Sequence, residues 1–252
     1  MAPLCVRPRL LFAMTAPPPV LVTSASSPVS LDPVVVALVE AVQRADSALQ
    51  LLQATQALAA AAHPDAAACL VEVLGFNNPG AAVAAVDGLI AIGAPAVATI
   101  LANIDGTNYG ARAWAVRALA GIGDVRGLEV LEDALGQDIG PSVRRAAARG
   151  LGQLRLEALD ATQRLSIAAR CLQALVEGCR DGEWVVRYAV VVGLESLSPV
   201  LQAPAAQERL LMALRSLQAD PREEAPVVQL RAGLALRRLA VRTAAAAELS
   251  HG

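Results

Sequence analysis

The chain has 252 residues, 55% hydrophobic, 17% charged and only 2% aromatic, enough for one sizeable domain or one repeat array. Its 21 basic and 23 acidic groups nearly balance, so no global field draws it to nucleic acid or to an anionic membrane. Every basic residue is Arg and Lys is absent, which excludes Schiff-base and lysine general-base chemistry. His63 and His251 are the only histidines and leave almost nothing for a zinc site or a Ser-His-Asp triad, so no metal is expected. The cysteines, Cys5, Cys69, Cys171 and Cys179, show no Cys-x-x-Cys spacing. On a shared helix, Cys171 and Cys179 stand roughly 12 Å apart, too far for a disulfide. All four read as small apolar residues of a protein in a reducing, cytoplasmic compartment.

In chain order, residues 1–30 read as a disordered leader. Arg7 and Arg9 precede a short apolar stretch from Leu10 to Met14, which Pro17-Pro18-Pro19 and a Ser-rich run cut off. That stretch is too short for a signal peptide, and Met14 is an alternative start. Asp32-Pro33 supplies an N-cap and a first helical residue, opening a helix to about Arg44 where the array begins. Residues 79–104 carry one charge, Asp87, and Gly93-Ala94-Pro95 divides them into two short helices rather than a membrane span.

One apolar pattern then recurs, with Leu at positions 58, 89, 119, 151, 194 and 236. Three residues later stand Ile92, Ile122, Leu154, Leu197 and Leu239, one helical turn along a buried face. In successive copies a second helix follows a Gly, Pro or Asp break, over 95–103, 125–136, 163–179 and 205–218. Helical hairpins at this period predict an all-α fold, an α-α superhelix of HEAT-like repeats over 31–243, followed by a flexible tail at 244–252. The abundant Ala suits close packing of helix rows.

A second regularity lies in the turns. Asp105, Asp138 and Asp181 precede Arg112, Arg144 and Arg187, and each Arg stands seven residues before a repeat Leu. Such Asp residues can accept from helix N-terminal amides and from the following Arg, forming a ladder along the stack. Gln229, Leu51 and Ala82 fill that place in other repeats, so the ladder is central only. The helices that start after the ladder Asp line the concave side in solenoids of this type. Tyr109, Trp114, Trp184 and Tyr188 lie on them, four of only six aromatics. Arg145 and Arg149 form an i, i+4 pair off the ladder place, and Arg117 is the register mate of Arg149. Arg and aromatic groups together suit a flat, conjugated, carboxylate-bearing ligand, although a solvated face and gap-filling aromatics explain the same residues. No nucleophile and base pair, phosphate loop or carboxylate dyad occurs. Gly121 and Gly123 mark a helix end, not a dinucleotide turn.

The strings themselves then resemble a known family. LVEAVQRADSALQLLQATQALAAA (38–61), LVEVLGFNNPGAAVAAVDGLIAIG (70–93), NYGARAWAVRALAGIGDVRGLEVLEDAL (108–135), SVRRAAARGLGQL (142–154) and EWVVRYAVVVGL (183–194) are similar to the F-type subunits of cyanobacterial phycobilin lyases. The resemblance covers about 30 to 240, and the Asn77-Asn78-Pro79-Gly80 and Asn108-Tyr109-Gly110-Ala111-Arg112-Ala113-Trp114 runs are its most specific parts. It implies pairing with an E-type HEAT-repeat subunit. The pair would be a carbon–sulfur lyase that attaches phycocyanobilin, or a related open-chain tetrapyrrole, to a cysteine of a phycobiliprotein α-subunit by thioether formation. It implies no cofactor.

On this reading Arg112, Arg117, Arg144, Arg145, Arg149 and Arg187 bind the bilin propionates. Tyr109, Trp114, Trp184 and Tyr188 flank its rings, and Asp105 or Asp181 supplies a proton. Members that also isomerise the bilin carry an adjacent His-Cys pair, absent here, so simple attachment is expected. A non-catalytic chaperone or adaptor for phycobiliproteins and a chromophore-detaching factor are the competing functions.

Overall fold

The computed structural model describes residues 32–104 and 108–249, with the side chains of 246–249 set aside. The expected leader, Met14, Asp105 and His251 lie outside the described residues. These hold twelve α-helices and no strand. One row consists of α2 (Ala48–Ala60), α4 (Pro79–Ile92), α6 (Tyr109–Ile122), α8 (Pro141–Leu151), α10 (Trp184–Leu197) and α12 (Pro226–Leu249). The other consists of α1 (Pro33–Gln43), α3 (Ala67–Val73), α5 (Ala94–Ala102), α7 (Leu128–Gln137), α9 (Ala161–Gly178) and α11 (Pro204–Ala219).

Local chemistry sets the helix bounds. Asp32 Oδ1 accepts from Val34 N at 2.8 Å with Pro33 at the first helical position, as the sequence predicts. Asn78, Asn108 and Asp160 cap α4, α6 and α9 by accepting from Ala81, Ala111 and Gln163 N. Gly93, at φ +74°, ends α4 and starts α5, so the apolar stretch 79–104 is two helices. Gly123, at φ +69°, ends α6 in the left-handed region. A short 3₁₀ turn, Val125–Gly127, leads into α7. At the far end α12 stays helical to Leu249, past the expected boundary at 243, because the run after Thr243 is mostly Ala, the strongest helix former. No described helix is long and apolar enough to cross a membrane.

The repeat leucines of α2, α4, α6, α8 and α10 are fully buried, and the apolar residues one turn on, from α4 onward, are buried as well. Leu236, their counterpart on α12, is only half-buried. What draws the even-numbered helices together is a row of small residues flanking each Leu. A Cβ added to Gly88 would lie 2.7 Å from Ala59 Cβ, one added to Gly150 2.7 Å from Ala120 Cβ, and one added to Gly152 2.3 Å from Gly193 O. Backbones therefore touch where a side chain would hold them apart. Helices of this row pack more closely on one another than those of the other row, as expected of the inner row of a curved stack.

Candidate functional site

The ladder forms at the edge where α6, α8 and α10 begin. Arg112 Nη1 donates to Asp138 Oδ2 at 2.6 Å. Arg144 donates to both oxygens of Asp181, at 2.7 and 3.0 Å, and Arg187 to both of Glu223, at 2.7 Å each. Each carboxylate thus belongs to the turn of the next repeat, which corrects the expected pairing within one turn. The turn's own Asp instead offers its backbone carbonyl: Arg144 Nη1 reaches Asp138 O at 2.8 Å and Arg187 Nη1 reaches Asp181 O at 2.6 Å.

Geometry accounts for the shift of partner. Each carboxylate folds back onto the amide two residues ahead, Gly140 N at 2.8 Å, Glu183 N at 2.9 Å and Ala225 N at 2.9 Å, and so turns its free side toward the preceding repeat. Gln229 keeps only the backbone bond, to Asp220 O at 2.8 Å, and ends the ladder without a charge. Glu223 was invisible to the sequence pattern because it replaces Asp and lies 36 residues from its arginine.

These pairs are shielded from solvent. Donating to Asp181 and Glu223 raises the Arg144 and Arg187 guanidinium pKa values, and the bonds from Arg187 pull the Glu223 carboxyl below its ordinary value. Arg112, Arg144 and Arg187, expected to bind a ligand, therefore have committed guanidinium groups. Both Asp181 oxygens are taken, which leaves that residue no free edge for proton transfer to a ligand. Tyr109 belongs here too: its hydroxyl sits 3.4 Å from Asp138 Oδ1, and burial followed by the Asp138 charge raises its pKa.

The other expected residues gather on the exposed face of the inner row. One cavity of about 360 Å³ is lined by Ile90, Trp114, Arg117, Arg145 and Arg149 among others, and a second of about 370 Å³ by Arg145, Arg149, Trp184, Tyr188, Val192 and Val227. Arg145 and Arg149 line both, so the cavities adjoin. Arg117 lies over the Trp114 ring, its Cζ 5.6 Å from the centroid. Among the described residues, no carboxylate stands within 4.0 Å of Arg117, Arg145 or Arg149. Trp184 and Tyr109 share a register, yet only Trp184 lines the cavity, because the hydroxyl end of Tyr109 sits against Gly140.

Counting from the repeat Leu shows why these residues meet. Six places before it the helices carry Leu52, Val83, Ala113, Arg145, Tyr188 and Leu230; two places before it, Gln56, Asp87, Arg117, Arg149, Val192 and Leu234. These two lines, four residues apart, form one stripe on each inner helix. The sequence reading found the middle members and missed Asp87, Val192, Leu230 and Leu234, which the same count would have located. It also missed Glu195, a buried carboxylate directly after a repeat Leu. Glu195 pairs with Arg231 and stands 3.5 Å from Arg238 and 4.0 Å from Arg242, all on α12.

Among the described residues, the thiols offer no nucleophile to this face. Burial pushes Cys69 up to about 11 and Cys171 and Cys179 to about 12, and all three are free. No group of three or more His, Cys, Asp and Glu converges on a metal position among the described residues. The arrangement can grip a flat anion between rings and guanidinium groups.

Paired helices in two rows, a turn ladder and an inner groove define a HEAT-repeat protein, and residues 100–170 match the HEAT repeats family. An engineered protein of 20% identity shares the fold over 81% of this chain and 95% of its own, with a TM-score of 0.51. More specific likenesses follow. The chain is 53% identical to phycocyanin alpha phycocyanobilin lyase CpcF of Synechocystis sp. (strain ATCC 27184 / PCC 6803 / Kazusa), over 66% of this chain and 77% of that protein. It is 46% identical to bilin biosynthesis protein RpcF of Synechococcus sp. (strain WH8020), over 84% and 98%. The complex of CpcE and CpcF of phycocyanin lyase from Nostoc sp. PCC7120 matches with a TM-score of 0.63 and 40% identity, covering 69% of this chain and 99% of the matched one. The chain belongs to the CpcF family of phycocyanobilin lyase subunits.

Proposed function

We propose that this chain is the F-type subunit of a heterodimeric bilin lyase which, with an E-type partner, attaches phycocyanobilin to a cysteine of a phycobiliprotein α-subunit in the cytoplasm. The observation that carries this reading is the groove of Arg117, Arg145 and Arg149, with no carboxylate within 4.0 Å of them among the described residues, flanked by Trp114, Trp184 and Tyr188. Arginine forks pair with carboxylates and rings stack on rings, so this set suits the two propionates and the conjugated plane of an open-chain tetrapyrrole.

The acceptor protein supplies the nucleophile, which fits a subunit whose described thiols, Cys69, Cys171 and Cys179, are pushed up to about 11 to 12. Its sulfur bonds to one carbon of an exocyclic C=C of the bilin, the double bond becomes single, and the thiol hydrogen ends on the adjacent carbon. Atoms balance without oxidant or reductant. The groove's part is to hold the bilin extended and oriented while the partner thiol approaches. Arg112, Arg144, Arg187 and Tyr109 act behind it, fixing the helix starts that carry the groove residues. Co-expression with an E-type subunit, phycocyanobilin and the apo-acceptor tests the reading: covalently coloured acceptor is expected, and colourless acceptor refutes it. An adaptor would bind acceptor without bilin and leave the attachment rate unchanged; a detaching factor would strip colour from finished acceptor.

A further inference from the structure

Asp87 is the only charge in the apolar run 79–104, and folding does not account for it. It is exposed, and among the described residues it makes no hydrogen bond and no ion pair. Its place is set by register. Standing two residues before Leu89, it is the mate of Arg117 and Arg149, and Ile90, one turn on, lines the first cavity. Along the stack that line therefore reads acid on α4, base on α6 and α8, and apolar on α10 and α12.

Asp87 makes no ion pair with Arg117, yet α4 packs directly on α6, so one extended ligand laid across the two helices meets both charges. Its surroundings are simple. Of the elements packed on α4, α2 and α5 carry no titratable side chain. The α3 helix carries Cys69 and Glu72, while α6 carries Tyr109, Arg112 and Arg117, of which Tyr109 and Arg112 are engaged in the ladder.

An open-chain tetrapyrrole bears its propionates on the two middle rings and its N–H groups along the opposite edge, and it gains positive charge when a ring nitrogen is protonated. With the propionates on Arg117, Arg145 and Arg149, the one carboxylate of the line is left for the nitrogen edge. Resting on the bilin-lyase reading above, we propose that Asp87 accepts hydrogen bonds from ring N–H groups of the bound bilin and holds it in its protonated, cationic form. The cation draws electrons from the exocyclic C=C and so favours attack by the acceptor sulfur.

The test is a pH titration of the long-wavelength absorption band of phycocyanobilin bound to the assembled heterodimer, comparing wild type, Asp87→Asn and Asp87→Glu. An opposite charge at hydrogen-bond distance favours a cation by about 1–3 pH units, so Asp87→Asn should lose the band at a midpoint at least about one unit lower, and Asp87→Glu should restore most of it. Melting should not change, because the carboxylate is exposed and unpaired. An Asp87→Asn midpoint equal to wild type overturns the proposal while leaving the lyase reading intact. A lower melting temperature in Asp87→Asn overturns it as well, since the residue would then be structural. Failure of the wild-type heterodimer to bind phycocyanobilin removes both.

Discussion

Replacing Arg187 with Ala removes the last charged rung of the ladder. The guanidinium makes three bonds, two to Glu223 at 2.7 Å and one to Asp181 O at 2.6 Å, and Glu223 is almost fully enclosed, its side chain 3% exposed. Breaking a buried pair by removing one partner costs about 3–5 kcal/mol, and hydrogen bonds to charged groups contribute about 1.5–3 kcal/mol each. Glu223 lies in the loop between α11 and α12 and can turn partly to solvent, so a net loss of roughly 2–4 kcal/mol is expected. For a chain of this size each kcal/mol lowers Tm by about 2–4 °C.

The pH dependence carries a sign. Arg187 pulls the Glu223 carboxyl down, so its contribution is fully present above the unfolded-state value and is lost as pH falls through the folded one. The gap between wild type and Arg187→Ala should be widest at neutral pH and close below the ordinary carboxylate range. Thermal melts from pH 7 to pH 3, with Arg187→Lys as a charge-keeping control of intermediate stability, measure it. Equal Tm values at pH 7, or a gap that widens on acidification, would refute the assignment of Glu223 as the partner.

The groove makes separate demands. Arg145→Glu with Arg149→Glu should reduce bilin attachment at least tenfold while leaving Tm nearly unchanged, since both side chains are exposed; colour yield on the acceptor and a melt read the two effects. Trp184→Ala with Tyr188→Ala should weaken bilin binding, measured by absorbance titration, with circular dichroism unchanged. Gly193→Ala places a Cβ 2.4 Å from the Ala148 carbonyl oxygen, and forcing α8 and α10 apart should cost at least about 1–3 kcal/mol in urea unfolding.

Much of this molecule is legible in its residues. Leucines at a repeating interval, Pro33, Pro79 and Pro141 at helix starts, Gly93 and Gly123 at helix ends and a dearth of strand signals define a stack of helical hairpins, because backbone preference and apolar period are local properties. The F-type resemblance points to the same fold and to the bilin chemistry. Less visible is the partner of each ladder Arg, since reach across a repeat depends on spacing between turns far apart in sequence. The pattern thus paired Arg187 with Asp181, where the fold gives it Glu223 and leaves Asp181 to Arg144.

Arg144 and Arg145 show where the division falls. Residue type and position determine that both lie in α8 and carry a permanent positive charge. Only the stacked repeats decide that Arg144 meets Asp181 while Arg145, turned about 100° around the same helix, faces an open groove and pairs with no carboxylate among the described residues. The chemistry of a side chain is intrinsic, but whether it is spent on the fold or left for a ligand depends on what the next repeat places within its reach.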